Sequence, residues 1–345
     1  MMITIYDIAE KTGYSAPTIS KALNGRGGLS PATRKKILDV AEEIGYKPNM
    51  AARSLTTKKS FLIGIIYEDA YMKAGFEHPL FGGILNTFRT ELEASGYDLI
   101  FLSKSFCSGK TSYLDHCVLR NVDGVVIINP AETVSELSAL ADSDIPSVST
   151  NDIIPGIPYV ITENFEAGYK AAEHFIKNGH KNFAYLAGPT TEYTRASIER
   201  LEGFRSCLLK HNFNFDDSYT ETCPAWFKEN GFDAMKKLWA RHSDVTAVFS
   251  ANDRIAAGAM DYCQSIGVRV PDEVSFIGFD DELFSSYCNP PLTTFKQRRE
   301  QIAEAAAEIL RKRLAGQSVA DFVRISADFI ERNSVKNLSN ADTAN

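Results

Sequence analysis

Near its N-terminus the chain has little choice but to fold as two short helices joined by a tight turn. Thr4 to Gly13 reads as a helix with Thr4 as its cap, Asp7 completing the capping box, and Ile5, Ile8 and Ala9 on one inward face. Only Gly13-Tyr14 separates it from a second helix, Ser15 to Gly25. Ser15 is a good N-cap, and Pro17 is tolerated in a first turn whose N–H groups lack helical partners. Ile19, Ala22 and Leu23 form the buried face, which leaves Ala16, Pro17, Thr18, Ser20 and Lys21 facing outward. A third helix is expected from Ser30-Pro31 to Gly45, and a fourth, short one after Pro48-Asn49. Two short helices with so tight a turn form a helix-turn-helix, whose second helix fits the major groove of DNA.

Charge supports that reading. The chain carries a formal net charge of −7, but residues 1–60 hold ten Lys/Arg against five Asp/Glu. A basic head on a strongly acidic remainder is the electrostatic footprint of a nucleic-acid module attached to something else. The six cysteines are scattered without metal-ligand spacing, so neither a metal site nor a disulfide framework is expected, and no cofactor. No signal-peptide core and no membrane-length apolar run is visible, which points to a cytoplasmic protein.

From Phe61 the pattern changes to short apolar runs alternating with helical stretches. Strands are expected at 61–67, 97–102, 122–128, 146–149, 183–187, 245–249 and 274–279. Helices are expected at 81–95, 164–178, 197–211, 231–242 and 254–266. Such alternation implies parallel sheets covered on both faces. The expected fold is an all-α helix-turn-helix head with an α/β body of two doubly wound lobes, whose ligand sits beyond the carboxyl ends of the strands. Arg200, Asn252-Asp253 and Asp280 fall where such a site would be, and their charged groups suit vicinal hydroxyls.

The runs Tyr6-Asp7-Ile8-Ala9, Thr18-Ile19-Ser20-Lys21-Ala22-Leu23-Asn24-Gly25 and Gly45-Tyr46-x-Pro48-Asn49-x-x-Ala52-Arg53-Ser54-Leu55 resemble the lac repressor (LacI/GalR-type) family of bacterial transcription regulators. In the body, Arg200-Leu201-x-Gly203-Phe204, Ser250-Ala251-Asn252-Asp253 and Val274 to Asp281 resemble the periplasmic sugar-binding fold (type I) used by that family. The resemblance implies base contacts from Ala16, Pro17 and Lys21, and a minor-groove wedge at Leu55. Lys21 is the one strong donor among them, suited to guanine. Thr4, Tyr6, Ser15, Ser20, Asn24, Thr33, Arg34 and Asn49 become candidates for phosphate contacts. Asp152, Arg200, Trp226, Asn252 and Asp280 become candidates for effector contacts. The loop 68–79 is longer than the family's, and Tyr71, His78 and Phe81 are expected to close over the ligand.

The resemblance also implies domain boundaries. A DNA-binding domain would span 1–47, and a hinge helix and linker 48–60. The first lobe would comprise 61–163 with 295–325, the second 164–294 with 326–333, and 334–345 would be a polar tail. The lobe crossings lie near Glu163, Thr294 and Ser326. The tail lacks tetramerising leucine heptads, so a homodimer reading a near-palindromic operator is expected.

The rival class is an enzyme, and its chemistry is missing. Gly109-Lys110-Thr111 has Lys104 where a phosphate loop needs glycine, and there is no GxSxG, HExxH or GxGxxG motif after the first strand. The expected function is a DNA-binding repressor controlled by a small ligand, most simply a sugar. The alternatives are a sugar receptor that does not use its head, or a regulator answering a nucleobase or a phosphoprotein.

Overall fold

The computed structural model describes residues 3–25, 27–47, 59–68, 75–106, 109–130, 134–190 and 194–339. Asn49, Leu55, Tyr71 and the expected fourth helix lie outside the described residues. The chain divides into two compact units, Met1–Ser60 and Phe61–Asn345.

The head contains α1 (Ile5–Thr12), α2 (Ala16–Leu23) and α3 (Pro31–Glu43). Asp7 accepts both the amide N–H and the hydroxyl of Thr4, at 2.7 and 2.8 Å, so the start of α1 is satisfied by its own sequence. Gly13 ends the helix at φ 75°, a conformation open to glycine without strain. Ile8, Ile19, Ala22, Ile37 and Ala41 are buried together, one or two from each helix.

The body has two separate parallel sheets. The first comprises β1 (Leu62–Tyr67), β2 (Asp98–Phe101), β5 (Gly124–Asn129), β6 (Ser147–Thr150), β7 (Tyr159–Thr162) and β13 (Phe322–Ile325), in the order β13-β7-β6-β5-β1-β2. Alternation along each strand feeds two cores. Ile63, Ile65, Val126 and Ile128 pack under α4 (Pro79–Glu93) and α11 (Arg299–Leu314), while Ile66, Val125 and Ile127 pack with Tyr113 and Cys117 of α5 (Tyr113–Arg120) and with Leu137 and Leu140 of α6 (Val134–Ala141). A short antiparallel pair, β3 (Ser105–Phe106) and β4 (Gly109–Lys110), lies outside this sheet.

The second sheet comprises β8 (Phe183–Ala187), β9 (Thr220–Thr222), β10 (Ala247–Ser250) and β11 (Ser275–Ile277), in the order β11-β10-β8-β9. Its helices are α7 (Asn164–Lys177), α8 (Ala196–Lys210), α9 (Lys228–Arg241) and α10 (Asp253–Ser265). The α7 and α8 backbones touch: a Cβ added at Gly203 would come within 1.9 Å of the Phe165 carbonyl. The largest apolar cluster of the molecule, from Ala167 to Phe295, fills this lobe.

The chain passes between the lobes three times. It leaves β7 at Thr162 and enters α7 at Asn164. It runs from β12 (Thr294–Lys296) into α11. It passes from β13 to β14 (Asp328–Ile330), which pairs antiparallel with β12.

The stretch after Asn333, expected as a polar tail, is docked on the second lobe through residue 339. Ser334 is fully buried and its hydroxyl donates to the Phe276 carbonyl, while the Lys336 and Leu338 amides bond to Ser275 Oγ and to the Asn178 carbonyl. Its polar residues satisfy backbone groups left open by the second sheet and α7, a use that hydropathy does not reveal.

Candidate DNA-binding head and ligand cleft

In the head, Pro17 and Lys21 are exposed one turn apart on α2, and Asn24 follows at its C-cap; Ala16 and Ser20 are half-buried on the adjoining face. This is the only run of α2 that the three-helix core leaves outward among the described residues. Around it, Tyr6 is 70% exposed, and Thr4 and Ser15 are also exposed. Several of these polar groups are engaged within the head. Ser15 Oγ lies 2.9 Å from Thr18 Oγ1, Asn24 Nδ2 donates to the Ser20 carbonyl at 2.9 Å, and the Thr33 amide donates to Ser30 Oγ at 3.1 Å. Arg34, the next residue of α3, is half-buried.

The second candidate region is the seam between the lobes. Arg200, on the second turn of α8, is buried. Its Nε donates to Asn164 Oδ1 at 2.9 Å, another guanidinium nitrogen donates to the Ala251 carbonyl, and its carbon sits 3.4 Å from the centre of the Phe279 ring. Burial holds this guanidinium below its ordinary pKa, opposed by the nearby Asp280 charge. Asp280 follows β11 with φ 110° and accepts Gln297 Nε2 at 2.6 Å; burial raises it to about 6, against the pull of Arg200. Gln297 also bonds through Oε1 to the Thr162 hydroxyl, so one amide ties a strand of the first lobe to an acid of the second. Asp152, past the end of β6, accepts the hydroxyl of Thr194, just before α8, at 2.5 Å. Its burial also lifts it to about 6. A third tie is the two-pronged bond from Arg324 on β13 to Glu199 on α8, at 2.9 Å for both oxygens.

Two small cavities lie along this seam. One, lined by Leu80, Asn151, Thr162, Asn164, Arg200 and Gln297 among others, measures about 10 Å³, room for roughly one water. The other, about 250 Å³, shares Leu80 and Gln297 with it and is lined by Asp280 and by residues of the second crossing. The lobes therefore lie close together at Arg200.

The remaining expected residues divide. The Trp226 indole packs against Gly188, where an added Cβ would come within 2.2 Å of the ring, and it is half-buried. Asn252 is the N-cap of α10: its Oδ1 accepts the Ile255 amide at 2.8 Å, and its Nδ2 approaches the Trp226 carbonyl at 3.4 Å. Its side chain is thus committed within the second lobe.

His78 and Phe81, expected to close over the ligand, have structural roles instead. His78 caps α4, with its ring 4.4 Å from Phe81, and Phe81 is 5% exposed in the first lobe's core. Helical phase turns Leu80, not Phe81, to the cavity.

Sequence reasoning missed Asn164, Gln297, Glu199 and Arg324, and placed Asp253 near the site without its bonding role. Asp253 is fully buried and accepts Ser285 Oγ, Thr294 Oγ1 and the Glu282 amide at 2.6, 2.5 and 2.9 Å. The only signal for Asp253 was its place after a strand beside Asn252.

Residues 4–49 match the model described as bacterial regulatory proteins, lacI family, and residues 172–335 match a periplasmic binding protein-like domain. The chain is 32% identical over 342 residues to a probable HTH-type transcriptional repressor, ExuR, of Bacillus subtilis (strain 168), covering 98% of this chain and 100% of that one. It is 30% identical to catabolite control protein A of Priestia megaterium, covering 92% and 95% of the two chains. Among solved structures, it resembles the lac repressor dimer bound to operator and the anti-inducer ONPF, with 25% identity, a TM-score of 0.78 and coverage of 97% and 100%. It also resembles the transcriptional regulator CelR in complex with cellobiose, with 26% identity, a TM-score of 0.69 and coverage of 96% and 99%.

Proposed function

The chain belongs to the LacI family of bacterial transcriptional regulators, and from that premise we propose that it is a homodimeric repressor whose operator affinity is set by a sugar bound between its two lobes. The observation that carries the ligand half is the convergence of Arg200, Asp280, Asn164 and Gln297 on one seam, with Asp152 beside it. A guanidinium, two carboxylates and two carboxamides offer donors and acceptors in the mixture that vicinal hydroxyls need. Trp226 supplies an apolar face beside them.

The DNA half rests on α2. Pro17 and Lys21 reach the base edges, with Ala16 beside them, and Thr4, Tyr6, Ser15, Ser20, Asn24, Thr33 and Arg34 hold phosphates. Asn49 holds a further phosphate, and Leu55 wedges into the minor groove. Two heads in a dimer read two half-sites. The protein works where the DNA is, in the cytoplasm; no helix among the described residues is long and apolar enough to cross a membrane.

The mechanism is a change in lobe orientation. Thr162–Gln297–Asp280, Asp152–Thr194 and Arg324–Glu199 are bonds between lobes, and a ligand entering at Arg200 has to rearrange the first of them. The change in DNA affinity is at most the ligand's differential affinity for the two orientations, and DNA changes ligand affinity by the same factor.

The test is a thermal-shift screen of sugars, followed by operator binding with and without each hit. A ligand at 100 times its Kd stabilises the unit that binds it by about 2.7 kcal/mol. A hit that stabilises the body, loses its effect in Arg200→Ala and changes operator affinity only in the parent protein is expected. A hit whose effect survives Arg200→Ala places the site elsewhere.

A further inference from the structure

Outside glycine, φ is positive among the described residues at Asn121, Asn151, Asn212, Asp280 and Asp281, and at Phe61, where it is 60°. Asparagine and aspartate tolerate the left-handed region; a bulky aromatic does not, and stays there only where its surroundings over-determine it. Two segments of the first lobe do so. The Phe61 amide donates to Asp123 Oδ2, between α5 and β5, at 3.0 Å. Its carbonyl accepts the amide of Asp98, the first residue of β2, at 2.8 Å, and its ring centre lies 5.9 Å from that of Tyr97. The Asp123 amide donates in turn to the Leu62 carbonyl at 2.8 Å. Phe61 is also where the body begins: Ser60 ends the first compact unit and β1 starts at Leu62. β1, β5 and β6 run parallel, so Phe61 stands at the amino end of the sheet and Asp152 beyond its carboxyl end. The junction and the ligand seam are thus at opposite ends of the first sheet, and whatever passes from one to the other crosses the first lobe.

We propose that Phe61 and Asp123 are positioning residues for DNA binding: by locking the backbone at the junction they fix the direction in which the head-bearing segment leaves the first lobe, so that this segment turns with the lobe instead of swivelling on it. A joint that only had to connect the two units could be a glycine, at no steric cost. Phenylalanine accepts the strained conformation and anchors it with a ring packed on the first lobe's core. An unlocked joint would leave two soft dihedrals that every operator complex has to freeze, a cost that a preset joint avoids. The inference needs the family's DNA binding and is independent of which ligand the seam takes.

The experiment uses the full chain without ligand. An operator is selected from a randomised duplex pool with the parent protein, and affinities for it and for a scrambled duplex of the same length are measured beside Tm. Phe61→Gly is expected to weaken operator binding about fivefold or more, the lower end of what freeing one backbone residue releases, and to leave the scrambled duplex unaffected. Asp123→Ala is expected to do the same, and Asp123→Asn, whose carboxamide oxygen accepts the same amide, to keep parent affinity. Phe61→Gly is expected to have a higher Tm than Phe61→Ala, since both lose the ring and only a left-handed backbone favours glycine over alanine. Unchanged operator affinity in Phe61→Gly and Asp123→Ala, with Tm alone lowered, makes the clamp purely structural and overturns the inference. So does equal weakening on both duplexes, and so does a Phe61→Ala chain as stable as Phe61→Gly. A pool that yields no enriched sequence overturns the inference together with the operator reading.

Discussion

Single residues in this protein show how burial separates chemical identity from role. Asp253 is the clearest case. It accepts three hydrogen bonds, yet its burial, with the charge of Asp280 nearby, raises its pKa from 3.8 to about 8. A folded-state pKa above the unfolded one means that the native state holds a proton which the unfolded chain has released. The stability from this group is full below the ordinary carboxylate pKa and is lost as pH rises toward 8. Asp152 and Asp280 add the same sign between about 4 and 6. The Tm of the body should fall as pH rises from 5 to 8, and Asp253→Asn, though less stable at pH 5, should show a flatter slope; an identical slope would remove Asp253 from the account. On the head, Lys21→Ala should cost about 1–3 kcal/mol and relax preference at one base position per half-site. Uniform weakening on every sequence, read by binding to a randomised operator pool, would make Lys21 a phosphate contact instead. Arg200 and Asp280 were legible because each sits beside a recognisable motif at a strand end or helix start. Gln297 and Asn164 were not, because their importance lies in partners far along the chain: Gln297 bonds to Thr162, and Asn164 to Arg200.

At the scale of elements, the long apolar strands and amphipathic helices were readable, and the elements that join the lobes were not. β1 and β5 announce themselves by runs such as Leu62 to Tyr67 and Gly124 to Asn129. β7, β9, β12, β13 and β14 are three or four residues each, too short for periodicity to separate from loop. β12 and β14 exist because they pair with each other at a lobe crossing, which no local propensity encodes. Much of the joining is electrostatic. The Arg324–Glu199 pair spans β13 and α8, with Glu199 buried, so Arg324→Met strands a carboxylate in the seam. The expected loss is about 1.5–3 kcal/mol in urea unfolding of the body, recovered in large part by adding Glu199→Gln. A loss under about 0.5 kcal/mol, the usual surface value, would mean that water reaches the pair freely. Truncation after Asn333 should destabilise the second lobe as well, since it removes the Ser334, Lys336 and Leu338 bonds and the Lys336 carbonyl that His180 Nε2 meets at 3.1 Å. Unchanged Tm of the truncated chain would show these bonds to be replaced by water without loss.

On the scale of the whole molecule, charge and compactness divide the labour between the two units. Residues 1–60 carry the basic excess and residues 61–345 the acidic one, so the body is repelled by DNA and the head alone is drawn to it. Operator affinity should therefore fall steeply with salt, with a slope set by the number of phosphates the two heads neutralise, about −0.9 per phosphate in log–log form. In the proposed function the ligand acts through a different surface, the seam at Arg200, and reaches the head by shifting which lobe orientation is populated. Thermodynamic linkage makes this reciprocal: if a sugar weakens operator binding by a given factor, operator must weaken sugar binding by the same factor. Titrating the full chain with its sugar, free and saturated with operator, measures that factor from the ligand side, and operator titrations with and without sugar measure it from the other. Equal factors at one salt concentration are expected. A body lacking residues 1–60 should bind the sugar as the DNA-free full chain does, since the two are separate compact units. A sugar that binds both forms equally, and whose affinity ignores operator, would be bound at a site with no connection to the lobe orientation that the DNA senses.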